Sequence, residues 1–148
     1  MSLLKKISFV LLIVFIAIQF IQPARNTNGQ VAQADITKHF SVPANVEGVL
    51  KISCYDCHSN NTYYPWYANI QPMGWLLANH IKDGKAELNF NEFGNYSERR
   101  QLSKLKAINN SIKDGTMPLS SYIVLHQDAK LSKESKALIS EWVSKNSR

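Results

Sequence analysis

With 148 residues and a formal net charge of +6, the chain has room for one domain of ordinary size beyond a short leader. Lys5, Lys6 and Arg25 precede every acidic residue, and the remainder carries 14 Lys/Arg against 11 Asp/Glu with the signs interspersed. That is an ordinary solvated surface and excludes a nucleic-acid-binding role.

Lys5 and Lys6 are followed by a nearly unbroken apolar run, Ile7 to Ile21, interrupted by Ser8 and Gln19. Basic residues ahead of an apolar stretch form the first two regions of an export signal. The run is shorter than the roughly 20 residues that comfortably span a bilayer, although Leu3 and Leu4 extend it. Ala32-Gln33-Ala34 has the small-x-small pattern of a cleavage site, but it lies about a dozen residues beyond the run. Residues 1–22 therefore read as an uncleaved signal-anchor in the cell membrane, basic end inside and the remainder in the periplasm. The alternative is a cleaved signal peptide and a soluble periplasmic protein. No cysteine lies near the run, so a lipid is not attached there. Residues 23–35 are polar, include Pro23 and Gly29, and read as a tether to a domain over residues 36–148.

The spacing of Val46, Val49, Leu50 and Cys54 predicts a first helix from Val46 to about His58, with Pro43 and Asn45 as start signals. It closes on Cys54-Tyr55-Asp56-Cys57-His58, the C-x-x-C-H attachment signature of a c-type haem. The two thiols are suited to adding across the two haem vinyl groups. On a helix they share a face, and His58, four residues after Cys54, can present its imidazole to the iron as the proximal ligand. These are the only two cysteines. A zinc site would need about four ligands, and His39, His80 and His126 are scattered rather than paired. A thioredoxin-like redox pair would need a βαβ context, which is absent, and a disulfide between residues three apart is sterically awkward.

An aromatic, irregular segment follows, and Tyr63, Tyr64, Trp66 and Tyr67, with Trp75, are suited to walling a haem pocket. Pro72 opens a second helix through about Leu88 that carries His80 beside Trp75 and Leu76. After the loop NFNEFGNY, a third helix starts near Ser97, places Leu102, Leu105, Ile108 and Ile112 on one stripe and stops at Gly115. Thr116 to Leu131 reads as loop, and a last helix begins at Ser132 and runs through Leu138, Ile139 and Trp142. The expected fold is all-α, about four helices around a haem. Met117, in the loop Gly115-Thr116-Met117-Pro118, is the expected distal ligand, because a thioether is a soft, neutral donor. His80 and His126 are the alternatives and His39 the weakest candidate. Arg99, Arg100 and Lys82 are cations that could pair haem propionates. No catalytic constellation accompanies the motif, so the chain is not expected to be an enzyme.

The leader, the stretch C-Y-D-C-H-S-N, the segment Y-P-W-Y, then W-L-L-A-N-H-I-K-D-G-K, E-L-N-F, G-T-M-P and L-H-Q-D-A-K-L-S together resemble the small haem-binding-domain proteins of Bacteroidota, which belong with the c-type cytochromes. The likeness runs from about Ile36 to Trp142. It implies a cytochrome c-like fold with one haem c held covalently through Cys54 and Cys57, His58 proximal, and a membrane or periplasmic setting, where thioethers to haem are made. By analogy with cytochromes c generally, Met117 maps onto the methionine of their M-P loop. The function so implied is a monohaem carrier of single electrons between redox partner proteins. A haem-based sensor with an exchangeable distal ligand is the alternative, and a haem-free thiol redox protein the third reading.

Overall fold

The computed structural model describes residues 2–27 and 33–147. Residues 28–32 of the polar stretch, including Ala32 of the small-x-small triplet, lie outside the described residues. Among those described there are helices, short 3-10 turns and no strand, only an isolated antiparallel bridge between Thr27 and Asn61.

Eight α-helices follow in chain order: α1 Leu3–Ile18, α2 Ile36–His39, α3 Ala44–Ser53, α4 Tyr55–His58, α5 Met73–Glu87, α6 Glu98–Asp114, α7 Ser120–Ile123 and α8 Lys133–Asn146. The four longest helices of the domain, α3, α5, α6 and α8, are the four expected from periodicity. Their ends follow local chemistry. The Ser132 side chain accepts from the Ser135 N–H at the start of α8, and Gly115 ends α6 at φ 69°, a left-handed conformation that glycine adopts without a Cβ penalty. Three regions differ from expectation. Asp35 caps the unforeseen α2, its carboxylate accepting from the Thr37 N–H. The supposed loop after α5 is a 3-10 turn, Phe90–Asn95, with Phe90 and Phe93 buried. The loop before α8 contains α7 and a 3-10 turn, Gln127–Ala129.

One core gathers Val46 and Leu50 of α3, Leu105, Ile108 and Ile112 of α6, Ile139, Trp142 and Val143 of α8, and Phe90 and Phe93 between them. Each such side chain contributes about 1.5–3 kcal/mol on leaving water. A smaller cluster of Ala68, Leu77 and Ile81 packs α5 against Cys57, Tyr64 and Tyr67. The first cluster thus packs against Cys54 and Tyr55, and the second against Cys57.

The N-terminal expectations change most. α1 has 16 residues, none buried, and no helix among the described residues is long and apolar enough to cross a membrane. A transmembrane anchor over residues 1–22 is therefore not supported by element length: the helix rises only about 24 Å, short of a hydrocarbon core of about 30 Å. Nor does the polar stretch begin as a free tether. Asn26 is bonded through its N–H to the Tyr64 hydroxyl and through its side-chain amide to the Ser59 carbonyl and Thr62, and it accepts from Lys85.

Candidate functional site

The C-x-x-C-H motif does not close a single helix. α3 stops at Ser53, Cys54 adopts φ −130° and ψ −39°, and α4 is one separate turn. The Cys54 N–H still bonds to the Leu50 carbonyl, while its own carbonyl accepts from Cys57 and His58. The break thus sits on Cys54, with one helix ending and another starting there, and it turns the second cysteine and the histidine onto a new axis.

Both intervening residues are committed to the fold. Tyr55 stacks on Phe90 at 4.8 Å between ring centroids and 6° between planes. Asp56 joins three segments: one carboxylate oxygen accepts from the Tyr63 N–H at 3.0 Å, the other from the Tyr122 hydroxyl at 2.6 Å, and its carbonyl accepts from the Thr62 hydroxyl at 2.6 Å. Burial, then the bond to Asp56, pushes the Tyr122 hydroxyl far above its ordinary range, so it donates throughout the physiological window.

His58 Nδ1 lies 3.0 Å from the Leu88 carbonyl oxygen. A carbonyl only accepts, so Nδ1 carries a proton, which leaves Nε2 as the nitrogen with which the ring could bind a metal. That is the arrangement required of a metal-ligating imidazole steadied by a backbone acceptor. α5 reaches the motif because residue 84 is glycine: a Cβ there would lie 2.7 Å from the Cys57 carbonyl oxygen and 3.2 Å from the Cys57 Cβ.

Two adjoining cavities, of about 210 and 330 Å³, flank Cys54 and His58 and share Glu87, Met117 and Pro118 in their walls. The first is closed by Leu88, Phe90, Ile108 and Ile112, the second by Cys57, His80, Gly84 and Tyr122. The structure therefore brings Met117, distant in sequence, to the largely apolar cleft beside Cys54, Cys57 and His58. Met117 is presented by the end of α6, where the Thr116 and Met117 N–H groups both donate to the Ser111 carbonyl.

Other candidates fall elsewhere. His80 lines the second cavity. His126 does not reach the cleft. It stacks on Tyr122 at 4.0 Å, and its Nδ1 lies 3.1 Å from the Tyr122 carbonyl. The His39 ring lies against Gly94, and its cavity is a different one. Tyr63, Tyr64, Trp66 and Tyr67 wall a separate cavity behind the motif, shared with Asp56 and His126, so the expectation that they enclose the haem pocket is corrected. The walls come instead from the apolar face of α6 and from Leu88 and Phe90. The 3.6-residue stripe of α6 signalled burial without showing against what, and Phe90 stood in an apparent loop. Of the cations, Arg99, Arg100 and Lys82 do not line the cleft, whereas Lys104 does, 3.4 Å from Glu87.

Neither thiol is poised for redox or zinc chemistry. Burial, with the adjacent Cys57, pushes Cys54 up to about 12, and burial, with Asp56, pushes Cys57 up to about 11, both from 9.0. Thiolates are the reactive species, and this environment suppresses them. No group of three or more His, Cys, Asp or Glu among the described residues could hold a metal ion by itself. A pH dependence follows. Because both folded values are raised, the thiols favour the folded haem-free chain fully below 9.0, and this contribution is lost as pH rises toward about 11 and 12. The urea midpoint of the haem-free chain is expected to fall between pH 9 and 11, and by less in a Cys54→Ser/Cys57→Ser variant. Equal falls would show that the thiols are not buried.

A family model described as a haem-binding domain matches residues 13–145, nearly the whole chain and including the last six residues of α1. The chain belongs to this family of haem-binding domains. No curated protein matches it, and no solved structure does. The cleft suits the group that the family binds: an apolar slot in the size range of cofactor pockets, with an imidazole and a thioether at its walls and two thiols at its edge. Haem binding thus accords with the chemistry of the donor set as well as with the family.

Proposed function

We propose that this haem-binding domain is a monohaem c-type cytochrome that carries single electrons. Cys54 and Cys57 would hold the haem through thioethers, His58 Nε2 would be the proximal ligand and Met117 Sδ the distal one. The observation that carries the reading is that His58, its Nδ1 fixed by Leu88, and Met117 line the same cleft. Bound haem supplies a one-electron iron couple. The chain's part would be to hold the His58 and Met117 donors in place and to keep water from the apolar face made by Leu88, Phe90, Ile108 and Ile112. A neutral thioether favours the reduced ion and raises the potential.

Export of the domain, with α1 held in a membrane, belongs to the same proposal. It is supported by Lys5 and Lys6 in the first turns of α1 and by the exposed apolar residues that follow them from Phe9 to Ile16. Partners are then other redox proteins at that surface.

The test is a pyridine haemochrome spectrum of protein made with a cytochrome c maturation system. A c-type spectrum supports covalent attachment, and a b-type spectrum or none overturns it. Met117→Ala is expected to abolish the weak long-wavelength band of thioether-ligated ferric haem and to lower the potential. An unchanged spectrum and potential would remove Met117 from the iron. A sensor reading has one observation in its favour, since Met117 is 37% exposed and His80 lines the same cleft as a second donor. Carbon monoxide binding by the reduced wild-type protein would favour that reading.

A further inference from the structure

α1 does not hang from the domain by a loose linker. Gln19 and Gln71 bond reciprocally, Gln19 Nε2 to the Gln71 carbonyl at 3.2 Å and the Gln71 N–H to Gln19 Oε1 at 2.8 Å. The fully buried Gln71 side chain also donates to Gln22 Oε1 at 2.9 Å, and Trp75 Nε1 donates to the Ile21 carbonyl at 2.8 Å. The chain then runs along α5, from Trp75 beside Ile21 to Lys85, whose ammonium donates to Asn26.

Chemistry changes in order along this path. Where α1 leaves the domain, Phe20, Ile21, Ile70, Met73 and Leu76 are all exposed, Phe20 at 84%. About two turns further along α5, roughly 10 Å from Trp75, Arg25, Lys82 and Lys85 border a cavity of about 320 Å³ whose walls contain no acidic side chain. Arg25 lies over the Tyr64 ring at 4.2 Å. An apolar helix, an apolar collar with a tryptophan, then a basic band is the order of environments met on leaving a bilayer: hydrocarbon, interface, headgroups.

The geometry points to this face as a docking surface for an anionic lipid bilayer, the collar at the interface and Arg25, Lys82 and Lys85 against headgroup phosphates. It rests on the reading that α1 is held in a membrane and goes beyond it. The domain is clamped to the surface in one orientation instead of sampling space on a tether. Continuity with the exposed apolar helix and charge complementarity select this occupant over a second protein.

The test uses the full haem-loaded chain in nanodiscs, with a membrane-impermeant amine-acylating reagent and peptide mapping. In discs containing phosphatidylglycerol, labelling of Lys82 is expected to fall about fivefold relative to detergent, with Lys133 of α8 unchanged. The protection is expected to weaken at high salt. Lys82→Glu, an exposed substitution outside the cleft, is expected to raise Lys85 labelling in the same discs without altering the haem spectrum. Incorporation into discs with Lys82 labelled as in detergent would overturn the docking surface and leave the α1 reading standing. Equal protection in phosphatidylcholine discs would overturn the choice of anionic lipid. Failure to incorporate at all would overturn both.

Discussion

Replacing His58 by alanine is expected to remove low-spin iron from the protein altogether. The imidazole is the only nitrogen donor of the motif, and its Nδ1–H bond to Leu88 leaves Nε2 as the nitrogen with which it could bind iron. Removing it leaves the cleft with Met117 and a void in place of a ring. Visible spectra should show loss of the sharp reduced bands and a high-spin ferric form. Added imidazole, small enough for that void, should restore low-spin character in part. Rescue separates a missing ligand from a collapsed fold, because a misfolded chain would not recover. A low-spin spectrum in the unsupplemented variant would show that another residue is the proximal ligand, with His80 the first to test, since it lines the same cleft.

The second large effect is expected at a residue with no chemistry. In Gly84→Val the new Cβ would meet the Cys57 carbonyl oxygen at 2.7 Å, inside any normal contact, and the obstacle is backbone that cannot rotate away. α5 must then separate from α4, the closest helix pairing at the site. Forcing bulk into such a contact costs about 1–3 kcal/mol from strain, and here it also opens the cleft. The variant is expected to show a lower urea midpoint and, when reconstituted, water-accessible iron that binds carbon monoxide. Gly48→Ala serves as a control, since a Cβ at that position meets nothing within 4 Å and the change should stay within about 0.5 kcal/mol. If Gly84→Val and Gly48→Ala behave alike, close approach of α5 is not what shapes the site.

What could be read from the chain divides along a physical line. The ends of α5, α6 and α8 were legible because Pro72, Gly115 and Ser132 act on the backbone next to them. The proposed donors Cys54, Cys57, His58 and Met117 drew attention in the sequence because their side chains bear unusual chemistry, and the fold places them around adjoining cavities. The break at Cys54 was not legible, since the apolar spacing continues across it, and the partners that hold Asp56 just beyond it, Tyr63, Tyr122 and Thr62, come from later in the chain. The cleft walls were also hidden. Phe90 reads as part of a polar loop until Tyr55 stacks on it, whereas Tyr63 and Trp66 drew attention as aromatics yet lie 84% and 75% exposed. Aromatic content shows that area will be buried somewhere, and only the packing of α6 decides where.

The motif notation leaves two of its five positions blank, as if any residue would serve. Here those positions are Tyr55, a stacking partner, and Asp56, the knot between the motif, the segment after it and α7. An engineer grafting this pentapeptide onto another scaffold would move the donors and leave the support behind, since Phe90, Tyr63 and Tyr122 would not travel with it. The portable unit is larger than five residues. The partners of residues 55 and 56 are spread from Thr62 to Tyr122, and libraries aimed at retuning the site should hold residues 55 and 56 fixed while varying the cleft walls.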